Sequence, residues 1–151
     1  MTLPLNESTH ALQQTADRVR AGMFENDRAS RALGMQIVEV QPGSAVLAMT
    51  VREDMLNGYG SCQGGLLSAL ADSCFAFACN SYNELTVASG FAIELLAPGR
   101  LGDVLTARCT EASKSGRTGV YDTVIENQRG ERVALFRGRS HTMKGRPAVA
   151  G

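Results

Sequence analysis

The sequence predicts an α+β fold in which an antiparallel sheet of five to six strands wraps around one long α-helix. Residues 66–79 form a run of small and apolar side chains that is apolar on nearly every face of a helix, as expected for a buried central helix. Strand-like segments lie on both sides of this run. The segments that follow it are joined by short turns, and short connections require antiparallel pairing.

Ahead of the central helix, the pattern predicts a loose N-terminus, helical segments and a hairpin. The N-terminal residues are polar with an early proline. Apolar residues then recur at helical spacing, and a shorter helical segment ends in glycine. A Pro-Gly turn joins two strand candidates. In chain order these are the loose residues 1–9, the helix 10–26, the helical turn 28–33 with Gly34, and the strands 35–40 and 45–51 around Pro42-Gly43.

Beyond the central helix the chain reads as consecutive strands. Each candidate contains β-branched or alternating residues and is followed by glycine, proline or a polar turn. No linker, internal repeat or charge block interrupts the chain, so residues 1–151 are expected to form a single domain with a frayed end over residues 145–151. The candidate strands are residues 85–96, 104–112, 118–127 and 132–143.

Composition excludes several classes of function. The formal net charge is zero, which argues against nucleic acid or an anionic membrane as a partner. No apolar run approaches the roughly 20 residues that a membrane span needs, and no signal peptide is evident. The four cysteines form no CxxC pair and no spacing typical of a zinc site. We therefore expect a reduced, cytoplasmic protein without a metal site.

Asp72 is the only ionisable acid or base of ordinary strength between Asp54 and Glu84. An unpaired charge inside an apolar helix costs several kcal/mol, because the charged group loses its hydration. A carboxylate at this position therefore requires an explanation. One interpretation is functional. The other is that Asp72 lies on one wet stripe of the helix or caps a neighbouring loop.

Gly64 and Gly65 stand at the start of the same helix. Their backbone N–H groups have no partner within the helix, and the helix dipole favours negative charge there, so they suit an oxyanion or a polarised carbonyl. The alternative is a simple turn into a buried helix. Gly64 and Asp72 are eight positions apart, roughly 12 Å along a helix. Two antiparallel helices from two chains would bring Gly64 of one chain to Asp72 of the other, which predicts a dimer with shared sites.

The combined motifs of the chain resemble the hotdog-fold acyl-CoA thioesterases, with the greatest likeness to the phenylacetate-degradation (PaaI-type) family. The likeness covers roughly residues 23–141. The motifs that carry it are Asn57-Gly58, Gln63-Gly64-Gly65, Leu70-Ala71-Asp72, residues 75–80, residues 94–99, Gly102-Asp103, residues 119–122 and residues 134–138.

This resemblance implies a hotdog fold and hydrolysis of a small aryl- or acyl-CoA, such as (hydroxy)phenylacetyl-CoA, without metal or prosthetic group. It implies a homodimer, usually paired into a homotetramer. Asp72 matches the motif carboxylate, which acts as general base or nucleophile. Gly64 matches the motif glycine whose N–H polarises the thioester carbonyl. Asn57 matches the motif Asn that positions water or thioester, and Ser89 is the candidate that holds the water.

The chain departs from the family pattern at two positions. The family usually reads NGHxxxHGG, whereas this chain reads NGYGSCQGG, so Tyr59 and Gln63 replace both histidines. Gln63 keeps a donor and an acceptor but cannot carry a proton, and Tyr59 could narrow the acyl pocket or donate a hydrogen bond. An alternative function is therefore a non-catalytic or weakly active acyl-CoA-binding protein.

The phosphates of CoA favour basic side chains on a surface loop. Lys114 and Arg117 flank the turn Ser115-Gly116 and are the candidates for this contact. The alternative is that both are solvated turn residues.

Overall fold

The computed structural model describes residues 5–150, which form three α-helices and six β-strands. A 3₁₀ turn, Glu53–Met55, precedes the loop into the central helix. In chain order the elements are α1 (Leu5–Asn26), α2 (Arg28–Ala32), β1 (Gln36–Gln41), β2 (Ser44–Thr50), α3 (Gly64–Asn80), β3 (Thr86–Leu95), β4 (Val104–Ser115), β5 (Thr118–Glu126) and β6 (Arg132–Thr142).

The six strands form one antiparallel sheet in the order β1-β2-β4-β5-β6-β3. The predicted hairpin is β1-β2, and the four strands predicted after the central helix are β3 to β6. The strand that directly follows α3 crosses to the far edge of the sheet, beside β6. The α+β architecture predicted from the sequence is confirmed, with six strands.

Helix α3 packs on one face of this sheet. Leu70, Ala71 and Cys74 are fully buried, and Phe75 packs its ring against Tyr121 and Phe136 with ring centroids 5.5 and 5.9 Å apart. Gly138 of β6 has no side chain because an added Cβ would lie 2.9 Å from the Phe75 ring. Close packing of this kind is typical of a protein interior.

One stripe of α3 is not covered by the sheet. It carries only small side chains and one carboxylate, which recur at intervals of three and four residues and therefore share a face. One interpretation placed Asp72 on a wet stripe of the helix, and such a stripe is present. Its residues are Gly65, Ser68, Ala69, Asp72 and Ala76, all exposed or partly buried.

Three element boundaries differ from the sequence predictions by more than one residue, and the predicted frayed end is held in place. Helix α1 begins at Leu5, so residues 5–9 are helical rather than loose, while residues 1–4 lie outside the described part of the chain. Helix α3 begins at Gly64, two residues early, and β4 continues to Ser115 because a bulge lets it follow β5 further. The end of the chain is held: the Arg146 carbonyl accepts from the Leu85 N–H. Residue 151 is not described.

Candidate active site

Asn57 shapes the loop that leads into α3. Its Oδ1 accepts hydrogen bonds from the backbone N–H groups of Tyr59 (2.9 Å) and Ser61 (3.2 Å), and its own N–H donates to the Ser61 carbonyl. Gly60 completes the turn at φ +80°, a conformation that favours glycine. The side chain predicted to position water therefore also fixes the backbone of the loop.

Helix α3 begins at the end of this loop. The Gln63 N–H donates to the Met55 carbonyl (2.9 Å), and the Cys62 N–H donates to the Gly99 carbonyl (2.8 Å). None of the hydrogen bonds found between residues 5 and 150 takes up the N–H of Gly64 or Gly65. Two free donors at the positive end of the helix dipole are suited to an oxyanion.

Gly64 lines a cavity of about 300 Å³ between the loop, the start of α3 and the end of β3. An added Cβ at Gly64 would lie 2.7 Å from Leu95 Cδ1, whereas one at Gly65 would meet nothing within 4 Å. The position facing the cavity wall thus requires glycine more strongly than its neighbour. The lining residues are Asn57, Ser61, Cys62, Gly64, Leu67, Leu95, Leu96, Ala97 and Pro98.

The Asp72 side chain is half-buried on the exposed stripe of α3. Its carboxylate has no hydrogen-bond or ion-pair partner within the described residues, and burial raises its pKa above the usual range of an aspartate. The next residue is fixed: Ser73 Oγ lies 2.8 Å from Ser30 Oγ, and that hydroxyl donates to Asp27 Oδ2 at 2.6 Å. A desolvated, unpaired carboxylate is an effective base.

One chain does not bring Gly64 and Asp72 to the same reacting atom. Both lie on one continuous helix, eight residues apart, which corresponds to roughly 12 Å. An oxyanion donor and a base must each come within about 3 Å of the reacting centre. The site of a single chain is therefore incomplete for chemistry that uses both groups.

Tyr59 and Gln63 lie at the outer rim of the loop. Tyr59 is 97% exposed, and the Gln63 side chain is exposed and makes no hydrogen bond to the described residues. Ser89 lies at a bulge in β3, where its hydroxyl donates to the Arg139 carbonyl (3.1 Å) and accepts from Arg139 Nε (3.2 Å).

Lys114 and Arg117 lie at the other end of the sheet. The Lys114 ammonium is 4.0 Å from the centroid of the Tyr82 ring, and Arg117 is at the β4-β5 turn. Strand β5 begins beside His141, which pairs with Val87 near the start of β3. Since Leu95 beside Gly64 is eight residues further along β3, the two regions of one chain are separated by about 26 Å.

Sequence reasoning did not identify the cavity wall formed by residues 95–98 or the buried carboxylate of Asp103. The Pro98-Gly99 turn can be recognised in the sequence. Its contact with Cys62 cannot, because the contact joins residues 37 positions apart. His10 and His141, the two histidines of the chain, are both exposed. Between residues 5 and 150 no group of three or more His, Cys, Asp or Glu is placed to hold a metal ion. No described helix has the length and apolar character of a membrane span.

The thioesterase superfamily model matches residues 59–134, and the chain belongs to this family. Its fold is the hotdog fold, as the resemblance implied. The acyl-coenzyme A thioesterase PaaI of Escherichia coli is 50% identical over 123 residues, which cover 82% of this chain and 88% of that protein. The solved structure of the E. coli PaaI protein from the phenylacetic acid degradation operon matches with a TM-score of 0.87 and 47% identity, over 89% of this chain and 98% of that chain.

A second solved structure is a hypothetical thioesterase protein of Streptococcus pneumoniae with coenzyme A. It is 27% identical to this chain, with a TM-score of 0.76, and the match covers 85% of this chain and 98% of that chain. The same arrangement of sheet and helix is thus found in a protein with coenzyme A.

Proposed function

We propose that this protein is an acyl-CoA thioesterase that hydrolyses (hydroxy)phenylacetyl-CoA or a similar small aryl- or acyl-CoA to the free acid and CoA. The main supporting observation is that one helix bears both kinds of group that the reaction needs. These are the free N–H donors of Gly64 and Gly65 and the half-buried carboxylate of Asp72, which has no hydrogen-bond partner within the described residues. The 50% identity to E. coli acyl-CoA thioesterase PaaI supports this activity. The enzyme acts in the cytoplasm and uses no metal or prosthetic group.

The working unit is a homodimer, paired again into a homotetramer. Strand β3 is an edge strand, and its apolar residues Phe91 (49%) and Leu95 (53%) are largely exposed in one chain. An exposed apolar edge strand favours pairing with another chain. If two β3 strands pair antiparallel about a two-fold axis, the two α3 helices also run antiparallel. Gly64 of one chain then lies beside Asp72 of the other, which completes the site.

In the reaction, the Gly64 N–H donates to the thioester carbonyl oxygen and stabilises the negative charge that develops there. As a general base, the Asp72 carboxylate takes a proton from water, whose oxygen adds to the carbonyl carbon. The C–S bond then breaks, and the electron pair leaves with the CoA sulfur, which is protonated. As a nucleophile, Asp72 itself adds to the carbonyl and the C–S bond breaks with loss of the CoA thiolate, which leaves an anhydride that water hydrolyses to the free acid and the Asp72 carboxylate.

The remaining predicted residues position or bind the substrate. Asn57 lines the cavity and positions the water or the thioester, Gln63 hydrogen-bonds the thioester in place of the motif histidine, and the exposed Tyr59 contacts the substrate from the rim. The same two-fold axis carries the partner's β4-β5 turn towards the cavity, so Lys114 and Arg117 meet the phosphates of a CoA bound mainly by the other chain. Ser89 helps to hold the attacking water from the edge strand.

Release of free CoA thiol from a panel of acyl-CoA substrates tests the proposal. The panel includes phenylacetyl-, hydroxyphenylacetyl-, benzoyl- and fatty acyl-CoA. Wild type is expected to turn over at least one of them, and Asp72→Asn to lower kcat by ~10²-fold or more. A near-normal rate in the variant would exclude Asp72 as base or nucleophile. Binding without turnover by wild type would instead favour the acyl-CoA-binding alternative.

A single turnover in H₂¹⁸O tests Asp72 as a nucleophile. Attack of water at the aspartyl carbonyl of an anhydride places ¹⁸O in the Asp72 carboxylate, which general-base catalysis does not do, and mass spectrometry of the peptide that contains Asp72 detects this label. Label in the product acid alone is compatible with either role, because water can also attack the acyl carbonyl of the anhydride.

A further inference from the structure

The loop before α3 and the turn after β3 are joined along their backbones. The Cys62 N–H donates to the Gly99 carbonyl at 2.8 Å, and Ser61 and Arg100 form an antiparallel bridge. An added Cβ at Gly99 would lie 3.0 Å from Cys62 Cβ, so the two segments approach closely. These segments form two walls of the cavity beside Gly64.

A buried carboxylate fixes the turn after β3. Asp103 is 3% exposed, and its Oδ2 accepts from the Arg100 N–H at 2.9 Å. Its Oδ1 accepts from Gln128 Nε2 at 2.9 Å and lies 3.4 Å from Arg129 Nη1. The Gln128 amide and the Arg100 N–H hold the pKa of Asp103 below its usual range, so the group stays ionised at neutral pH.

Asp103 is itself anchored to the sheet. Its carbonyl accepts from the Val51 N–H at 2.9 Å, and the Val51 carbonyl accepts from the N–H of the neighbouring Gly102 at 2.9 Å. The end of β2 therefore provides a fixed reference. From it, hydrogen bonds run through the Asp103 carboxylate to Arg100, across the backbone bridge to Ser61 and Cys62, and along the chain to Gly64.

We propose that Asp103 is a positioning residue for the oxyanion-binding N–H of Gly64. This inference rests on the proposed function, because it assigns Asp103 a part in that same site. Asp103 does not line the cavity; it acts through Arg100 and the loop. A displacement of about 1 Å in a catalytic group can lower the rate ~10²-fold, so loss of the carboxylate affects turnover without removing a substrate contact.

Steady-state kinetics of Asp103→Ala and Asp103→Asn, below their melting temperatures, test the role. We expect Asp103→Ala to lower kcat ~10-fold or more with KM within about twofold of wild type, because CoA contacts are untouched. In Asp103→Asn the amide oxygen still accepts from the Arg100 N–H, so part of kcat should return.

Asn80→Ala is the matched control. Asn80 is also buried and fixes a turn, since its Oδ1 accepts from the Thr86 N–H and its Nδ2 donates to the Thr86 carbonyl, both at 2.9 Å. Within one chain it lies at the opposite end of α3, roughly 24 Å from Gly64, and in the proposed dimer that end faces the phosphates of CoA rather than the thioester, so any effect there should fall on KM. Equal losses of kcat in Asp103→Ala and Asn80→Ala, once their stabilities are matched by temperature, would overturn the positioning role.

A second measurement does not depend on activity. In protein labelled with ¹⁵N-glycine, Asp103→Asn should shift the amide resonances of Gly64 and Gly65, while Asn80→Ala leaves them unchanged. Unmoved resonances in a folded Asp103→Asn variant would overturn the inference even if Asp103→Ala fails to fold. Absence of turnover in wild type would count against the proposed function, and the amide shifts would still decide whether Asp103 sets the position of Gly64.

Discussion

The two edges of the sheet are treated differently. At the β1 edge, Gln13 Nε2 of α1 donates to the Val40 carbonyl at 2.8 Å and Arg20 Nη2 donates to the Ile37 carbonyl at 2.6 Å. The buried Ala16 and Val19 of α1 add apolar packing. At the β3 edge, α3 contacts the strand, but beyond Thr86 no helix side chain is hydrogen-bonded to its backbone within the described residues, and apolar side chains are exposed along its length.

The difference separates an edge that the chain closes by itself from one that it leaves open, where we propose that a second copy pairs. Natural proteins usually cover or charge an exposed edge strand, because open N–H and C=O groups invite pairing with other chains. The covered edge is remote from the cavity, while the open edge ends at Leu95 beside Gly64. The open edge is therefore the one that can carry a shared site.

The largest expected effect comes from placing a charge on the open edge. If the proposed dimer pairs through β3, Phe91→Lys should dissociate it in analytical ultracentrifugation and lower turnover ~10³-fold or more, because a single chain cannot bring Gly64 and Asp72 together. Val38→Lys on β1 is the control, since Val38 is similarly exposed at 55%. A folded, monomeric Phe91→Lys with wild-type turnover would exclude a site shared across this edge.

The second effect tests the sharing directly. Gly64→Pro removes the N–H, and proline suits the first helical position; the preceding Gln63 has φ −58° and ψ 133°, which a following proline accepts. We expect kcat to fall ~10²–10³-fold, as for loss of an oxyanion donor. Because the added Cβ would also meet Leu95 Cδ1 at 2.7 Å, the control is Gly64→Ala, which adds the same Cβ but keeps the N–H and should lose clearly less activity.

Mixing Gly64→Pro with Asp72→Asn should then restore activity. In each mixed dimer one site combines the two mutant groups and the other combines two intact groups, so random exchange recovers about a quarter of wild-type activity. No recovery after denaturation and refolding of the mixture would place both groups of a site on one chain.

A smaller effect is expected on the stability of the folded protein, through Asp72 on the exposed stripe of α3. Burial raises the pKa of Asp72 in the folded protein, so ionisation disfavours folding as pH rises from the unfolded pKa through the folded one. Asp72→Asn should therefore raise Tm at neutral pH, with a difference that shrinks towards pH 3. Thermal melts at several pH values measure it. A difference independent of pH would mean that other groups compensate for the burial.

The smallest effect is expected at the covered edge. Gln13→Ala leaves the Val40 carbonyl without its side-chain donor, which should lower the free energy of unfolding by about 0.5–1.5 kcal/mol. Sedimentation and turnover should not change, because α1 still covers β1. Urea titration checks the stability. A change in oligomeric state in this variant would show that α1 also closes the sheet against other copies of the chain.

The elements were predictable because they depend on local patterns. The apolar run of α3, the Pro42-Gly43 hairpin and the alternating residues of β4 to β6 are visible in the sequence. The strand order could not be predicted in the same way, because β3 crosses to the edge beside β6 and no local sequence pattern indicates this crossover. The helical start of α1 was missed because residues 5–9 are polar and carry little hydrophobic periodicity.

The sequence by itself determined which groups can do chemistry: one carboxylate in an apolar helix and two glycines at its start, since residue type and spacing decide which donors and charges exist. Tertiary structure decided what surrounds them. It left the Asp72 carboxylate half-buried and unpaired, opened the cavity beside Gly64 and buried Asp103 behind it. Burial and pairing depend on contacts between distant segments, and free energies of desolvation follow from those contacts rather than from local pattern.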